Sequence, residues 1–173
     1  MVELEKVYLK VKKLNKNAIL PNKRDEDAGY DLYGVFDEDP KFLFPGEIYL
    51  VPLGISTEFP KDYVFYIVER SGSGSKGIST RAGVIDSGYR GEIKTPLNNT
   101  TNKLIIFSNK SEEEIKLNFS DKIKGYENKL IIYPQNKGIA QGLLLYCPHV
   151  VIEEVLDLKD SIRGVGGFGS SGK

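Results

Sequence analysis

Short runs rich in Val, Ile, Tyr and Phe recur along this chain about every 8 to 15 residues, and Gly, Pro and Asp punctuate the gaps between them. β-Branched and aromatic side chains suit a pleated, half-buried surface, and the punctuation residues suit tight turns. The pattern predicts an all-β sandwich or barrel in which helices are scarce. Residues 7–11 alternate apolar and polar, 48–57 follow the Pro45-Gly46 turn, and 63–69 follow Pro60-Lys61-Asp62; each reads as a strand. Residues 78–85 and 89–97 flank Asp86-Ser87-Gly88, which reads as a β-hairpin with an aspartate at its tip. Further strands are expected at 104–107, 115–119, 130–133, 139–146 and 149–155.

One domain accounts for the 173 residues: a β-barrel over 1–162 followed by a tail over 163–173. Residues 98–136 turn polar and mixed in charge, with Ser111-Glu112-Glu113-Glu114 and little that reads as core, so a surface excursion on the barrel is expected there. The tail, Arg163-Gly164-Val165-Gly166-Gly167-Phe168-Gly169-Ser170-Ser171-Gly172-Lys173, is glycine-rich. Glycine loses the most backbone entropy on ordering, so this segment is expected to stay flexible until a ligand holds it. Lys plus Arg and Asp plus Glu both number 24, and no global field draws the chain onto nucleic acid or an anionic membrane. One Cys (Cys147) and one His (His149) exclude a disulfide framework and a Cys-rich zinc site, and both residues read as structural. No apolar run approaches the roughly 20 residues of a membrane-spanning helix, and residues 1–17 lack a secretory apolar core, so a cytoplasmic location is expected.

Chemistry concentrates in a few places. Three Gly/Ser-rich or turn segments each carry a cation: Arg70-Ser71-Gly72-Ser73-Gly74-Ser75-Lys76, Lys137-Gly138 ahead of Ile139-Ala140-Gln141, and the tail at Arg163. Glycines let backbone N–H groups approach phosphate oxygens and Arg or Lys supplies charge, so together these suit a polyphosphate cradle, although each alone is an ordinary loop. Asp31, in Asp27-Ala28-Gly29-Tyr30-Asp31-Leu32, and Asp86 sit in turn contexts, where a carboxylate can orient and deprotonate a water, hold a hydrated divalent ion, or merely cap the turn. Phe168 among glycines buries nothing by itself and reads as a ring that stacks on a planar ligand.

These segments, in this order, resemble the five motifs of the trimeric dUTPases. Asp27 to Leu32 looks like the first and Arg70 to Lys76 the second. Gly83-Val84-Ile85-Asp86-Ser87-Gly88-Tyr89-Arg90-Gly91-Glu92 looks like the third, Ile139-Ala140-Gln141 the core of the fourth, and Arg163 to Gly172 the fifth. The resemblance implies a jelly-roll-like β-barrel subunit in a homotrimer, with dUTP cleaved to dUMP and pyrophosphate at subunit interfaces. By the same resemblance, the backbone of Gly83, Val84 and Ile85 pairs with the uracil edge, Tyr89 packs on the sugar, and Asp86 activates the water that attacks the α-phosphorus. Arg70, Ser71, the Gly72 amide and Gln141 hold phosphates. Arg163, Phe168, Gly169, Ser170 and Ser171 close over the nucleotide, and Asp31 contacts the hydrated Mg²⁺ of the triphosphate. Two departures stand out. Gly138 occupies the place of an arginine usual in the fourth motif, whose role is absent or passed to Lys137. The 98–136 excursion is similar to the insertion of some phage-encoded members, through which a protein partner is an open option. The related dCTP deaminases are less similar at the Asp86 hairpin and the tail.

Overall fold

The computed structural model describes residues 6–36 and 39–166. In chain order its strands are β1 (Lys10–Lys13), β2 (Tyr30–Leu32), β3 (Lys41–Leu43), β4 (Ile48–Pro52), β5 (Ile55–Glu58), β6 (Tyr63–Val68), β7 (Ile78–Thr80), β8 (Val84–Ile85), β9 (Lys94–Asn99), β10 (Leu104–Phe107), β11 (Leu130–Tyr133) and β12 (Ala140–Tyr146). Two short helices interrupt them, α1 (Ser71–Gly74) and α2 (Glu112–Asn118). Four small sheets, ordered β1-β5, β11-β10-β3, β2-β12-β6-β8 and β4-β9-β7, enclose one main core, as the all-β expectation requires. Alternation explains the burial. On β6, Phe65 and Ile67 point into the core while Tyr66 is exposed.

The expected strand over 48–57 is two strands. Gly54, at φ +64°, breaks it between β4 and β5, a backbone conformation that side chains disfavour. The expected hairpin at Asp86 is also wider than a three-residue turn. β7 pairs with the end of β9, Ile78 opposite Asn99, whereas β8 leaves that ladder and pairs with β6, Ile85 opposite Phe65 and Val84 opposite Tyr66. Ala82 at φ +55° turns the chain away, and Gly83 is drawn against β6 so closely that a Cβ there would stand 2.1 Å from the Ile67 carbonyl oxygen. Only the local turn survives from the expected hairpin, closed by the Tyr89 N–H donating to Asp86 O at 3.0 Å.

The largest correction concerns 98–136. This segment is no coreless excursion but a strand–helix–strand unit in which β10 and β11 run parallel. All of β10 is fully buried, because Ile105 and Phe107 face the main core while Leu104 and Ile106 face a second one with Ile115 and Ile123. Phe42, Phe44, Phe119, Tyr126, Leu130 and Ile132 pack around that second core. Of residues 115–119, expected as a strand, the first four belong to α2 and Phe119 is its C-cap. Its start is fixed by a capping box: the Glu114 N–H donates to Ser111 Oγ, and the Ser111 N–H donates to a Glu114 carboxylate oxygen at 2.7 Å. The expected strand at 149–155 has no partner strand among the described residues; that segment is irregular, and every residue from Cys147 to Val165 is exposed. Cys147 and His149 therefore support no core.

Candidate active site

The four-stranded sheet lays out the site. Asp31 on β2 stands opposite Gln141 on β12, which stands opposite Val68 on β6, so one row across the sheet leads to the Arg70 loop. There the Arg70 guanidinium grips Asp31 with two bonds, Nε to Oδ1 at 2.8 Å and Nη2 to Oδ2 at 3.1 Å, while Nη1 donates to Gly138 O at 2.9 Å. A fork of this kind fixes the guanidinium plane. Gln141 is fixed as well, because its Nε2 donates to Glu69 O at 2.8 Å. Glu69 clamps the loop from its other side by accepting the Thr80 N–H at 2.8 Å. Burial pushes the Glu69 carboxyl up, but bonds from its own N–H and that of Thr80 outweigh this and hold it below its usual value. Asp31, Arg70, Ser71, Gly72 and Gln141 all line one cleft of about 840 Å³.

Asn22, Lys23, Arg24 and Asp27 line the same cleft from the segment ahead of β2. Arg24 and Asp27 form their own fork, which raises the guanidinium pKa and lowers that of the carboxyl. Charged residues three apart in a turn were visible in the sequence, but nothing local announced that they would face this cleft.

Asp86 and Tyr89 lie elsewhere. With Val84, Ile85, Glu92, Ile93 and Lys94 they line a second cleft of about 420 Å³, which shares no lining residue with the first. β8 is the edge strand here. The Ile67 N–H donates to Gly83 O at 2.8 Å, so antiparallel alternation turns the N–H and C=O of Val84 outward, away from β6. One donor and one acceptor are thus offered on a rigid free edge. The Tyr89 hydroxyl donates to Glu92 O at 3.0 Å, and its ring lies against Gly91. Arg90, which the sequence reading passed over, braces the turn through Ser87 O at 2.6 Å and Tyr89 O at 3.0 Å. Asp86 is exposed at the rim.

Arg163 lies apart from both clefts, its Nε donating to Gly166 O at 2.8 Å in a local turn. Phe168, Gly169, Ser170 and Ser171 lie outside the described residues. Among the described residues no group of three or more His, Cys, Asp or Glu could hold a metal ion, and no helix is long and apolar enough to cross a membrane.

A family model described as dUTPase matches residues 15–124. Proteins named deoxyuridine 5'-triphosphate nucleotidohydrolase from Clostridium acetobutylicum and Clostridioides difficile are 37% and 38% identical to this chain, covering 96% and 95% of it and 97% of each relative. Among solved structures, the dUTPase of Staphylococcus bacteriophage 80alpha with dUpNHpp superposes with a TM-score of 0.72 at 24% identity, covering 96% of this chain and 99% of its own. The dUTPase of phage phi11 of S. aureus, described for its species-specific insert, gives 0.65 at 19% identity, covering 89% and 99%. At these identities the phage likeness is one of fold, whereas the bacterial relatives match in sequence almost end to end.

Proposed function

Because the chain belongs to the dUTPase family, we propose that it hydrolyses dUTP to dUMP and pyrophosphate in a homotrimer whose sites combine the two clefts of different subunits. The observation that carries this reading is the free edge of β8 beside Asp86. Val84, between Gly83 and Ile85, presents its N–H and C=O to the base edge, and Tyr89, held by Glu92, presents its ring to the sugar. The Asp86 carboxylate accepts a proton from a water, and the resulting hydroxide attacks the α-phosphorus as the bond to the bridging oxygen breaks and pyrophosphate leaves. Arg70, Ser71, the Gly72 amide and Gln141 neutralise and position the phosphates. Arg163, Phe168, Gly169, Ser170 and Ser171 close over the nucleotide and exclude water.

Mg²⁺ fits this arrangement as an ion carried by the phosphates. It binds readily through substrate oxygens and water with one or two carboxylates, which needs no dedicated protein cage. Asp31 is placed to contact such an ion through water, since each of its oxygens keeps a lone pair beyond the Arg70 bond. The ion supplies charge neutralisation on the triphosphate.

Two features support assembly across chains. Asp86 follows Ile85, the partner of Phe65, whereas Arg70 lies five residues beyond Phe65, about 17 Å at the rise of extended chain. A general base acts within about 3 Å or through one water, so one chain's Asp86 is poorly placed for phosphates held by its own Arg70. Large apolar side chains also remain uncovered in the single chain: Tyr66, Val84 and Leu145 on one sheet, and Val150, Val151, Ile152, Leu156 and Leu158 along the segment after β12. Apolar exposure on that scale marks an interface. The apolar side chains of 98–136 go mostly into the second core, so a protein partner of that segment would meet mainly its charged surface.

Incubating the protein with Mg²⁺ and each of dUTP, dCTP, dTTP and UTP tests the reading. Pyrophosphate release from dUTP alone is expected. No release from dUTP, or ammonia release from dCTP, refutes it.

A further inference from the structure

The loop that carries Arg70, Ser71 and Gly72 is anchored on both sides of its base, and only one anchor lies in the cleft. Arg70 is extended, with φ −81° and ψ 143°, so the side chains of Glu69 and Arg70 leave the backbone in opposite directions. The guanidinium goes to Asp31 and Gly138, whereas the Glu69 carboxylate goes to the Thr80 N–H at 2.8 Å. That N–H has no acceptor in its own ladder. The Arg81 N–H bonds inward to Pro96 O at 2.9 Å, so antiparallel alternation turns the Thr80 N–H outward, at the free edge of β7. Glu69 directly follows the last residue of β6, and its carboxylate thus joins the sheet of β6 to the sheet of β7 at the base of the loop.

The same residue supports the groups that face the cleft. Its carbonyl oxygen accepts Gln141 Nε2 at 2.8 Å, and a Cβ at Gly74 would stand 3.6 Å from the Glu69 Cβ, so the end of α1 rests on its stem. A helix of four residues has no stability of its own, and its anchors decide where it sits. Arg70, Ser71, Gly72 and Gln141 line the cleft; Glu69 does not. A carboxylate facing the cleft one residue before Arg70 would repel a polyphosphate. This one is turned to donors instead. Burial opposes its ionisation, but its own N–H, Thr80 and the charge of Arg81 outweigh that, and Arg81 is itself held by Asn98 Oδ1 at 2.8 Å.

We propose that Glu69 is a positioning residue: by accepting the Thr80 N–H it fixes the loop that presents Arg70, Ser71 and Gly72 to the phosphates, without touching them itself. What the position requires is an acceptor of the right reach, not a charge. This rests on the dUTP-hydrolase reading for its substrate, but not for its test. Glu69→Gln keeps the reach and the acceptor oxygen and removes the charge; Glu69→Asp keeps the charge and falls one methylene short; Glu69→Ala removes both. Calorimetric titration of the full chain with inorganic pyrophosphate and Mg²⁺, and separately with dUMP, is compared with steady-state turnover of dUTP. Pyrophosphate affinity should fall about tenfold in Glu69→Ala, about fivefold in Glu69→Asp and less than about twofold in Glu69→Gln, with KM for dUTP following each change and kcat moving less. Affinity for dUMP should stay within about twofold in all three, which also shows that each variant is folded. If Glu69→Ala does not fold, the contrast between Asp and Gln decides. Unchanged pyrophosphate affinity in Glu69→Asp, a loss in Glu69→Gln as large as in Glu69→Asp, or equal loss for dUMP and pyrophosphate overturns the proposal. A chain that shows the Asp–Gln contrast toward pyrophosphate yet leaves dUTP intact would count against the assigned activity alone.

Discussion

The two clefts are built on opposite principles. The one beside β8 is made of backbone and shape: an outward-facing N–H and C=O at Val84, a tethered Tyr89 ring, and Asp86 exposed at the rim. The one beside β2 is made of charge, with Arg70 locked to Asp31 and Gly138 and with Gln141 tied to Glu69. The first can read a base but offers little to neutralise a phosphate chain. The second gathers the cations Lys23, Arg24 and Arg70, which suit phosphates. On the proposed reading the reaction needs both, and the two share no lining residue.

Changes confined to one cleft should therefore have different signatures. The largest effect is expected for Asp86→Asn, which should lower kcat by at least about 10²-fold while leaving dUTP and pyrophosphate binding in place. Pre-steady-state turnover on enzyme saturated with dUTP checks this, and near-normal kcat would remove Asp86 from its role. Gly83→Ala comes next. A Cβ cannot fit 2.1 Å from the Ile67 carbonyl, so β8 must leave β6, dUMP binding should be lost, and pyrophosphate binding should persist in calorimetry. Parallel loss of both would mean that the clefts are not independent.

Asp31→Asn attacks the other cleft. Losing the carboxylate frees the Arg70 fork, and KM for dUTP should rise about tenfold with a smaller change in kcat. Weakened dUMP binding would contradict the division between the clefts. The smallest effect is a control remote from both. Ser111→Ala removes the α2 cap and should lower the thermal midpoint by a few degrees with kcat and KM unchanged. The bond to the Ser111 N–H lowers the folded-state pKa of Glu114, so this contribution is present above the unfolded carboxylate pKa and fades as pH falls through the folded value.

Much of this was legible in the sequence because the signals are local. The alternation of Tyr63 to Val68 and the continuous apolar runs at 104–107 and 130–133 mark their strands directly. Ile115, Leu117 and Phe119 mimic strand alternation, but the Ser111–Glu114 capping box favours a helix, and the cap prevails. The second core was hidden because an all-apolar strand does not say which faces are covered; β10 reads as core only once α2 covers its far face, with β11 paired alongside. The apolar run at 149–155 reads as a strand but finds no partner strand among the described residues. For the site, residue type and turn context picked out Asp31, Arg70 and Asp86, and the resemblance to the dUTPase motifs added Gln141. Their division between two clefts was invisible, because it depends on which strand β8 pairs with, and that is decided by Gly83 fitting against Ile67 far away in sequence.

Complementation between two inactive variants tests the split site most directly. Asp86→Asn and Arg70→Ala chains, each silent alone, are mixed in equal amounts, unfolded and reassembled, with mixed assemblies verified by mass. If each site takes Asp86 from one subunit and Arg70 from another, about a quarter of the sites in randomly mixed trimers carry both intact residues, and dUTP turnover should return to roughly that fraction of wild type. Mixed assemblies that form and remain silent would place Asp86 and Arg70 of a single chain in one site, and the account of two clefts joined across subunits would fail.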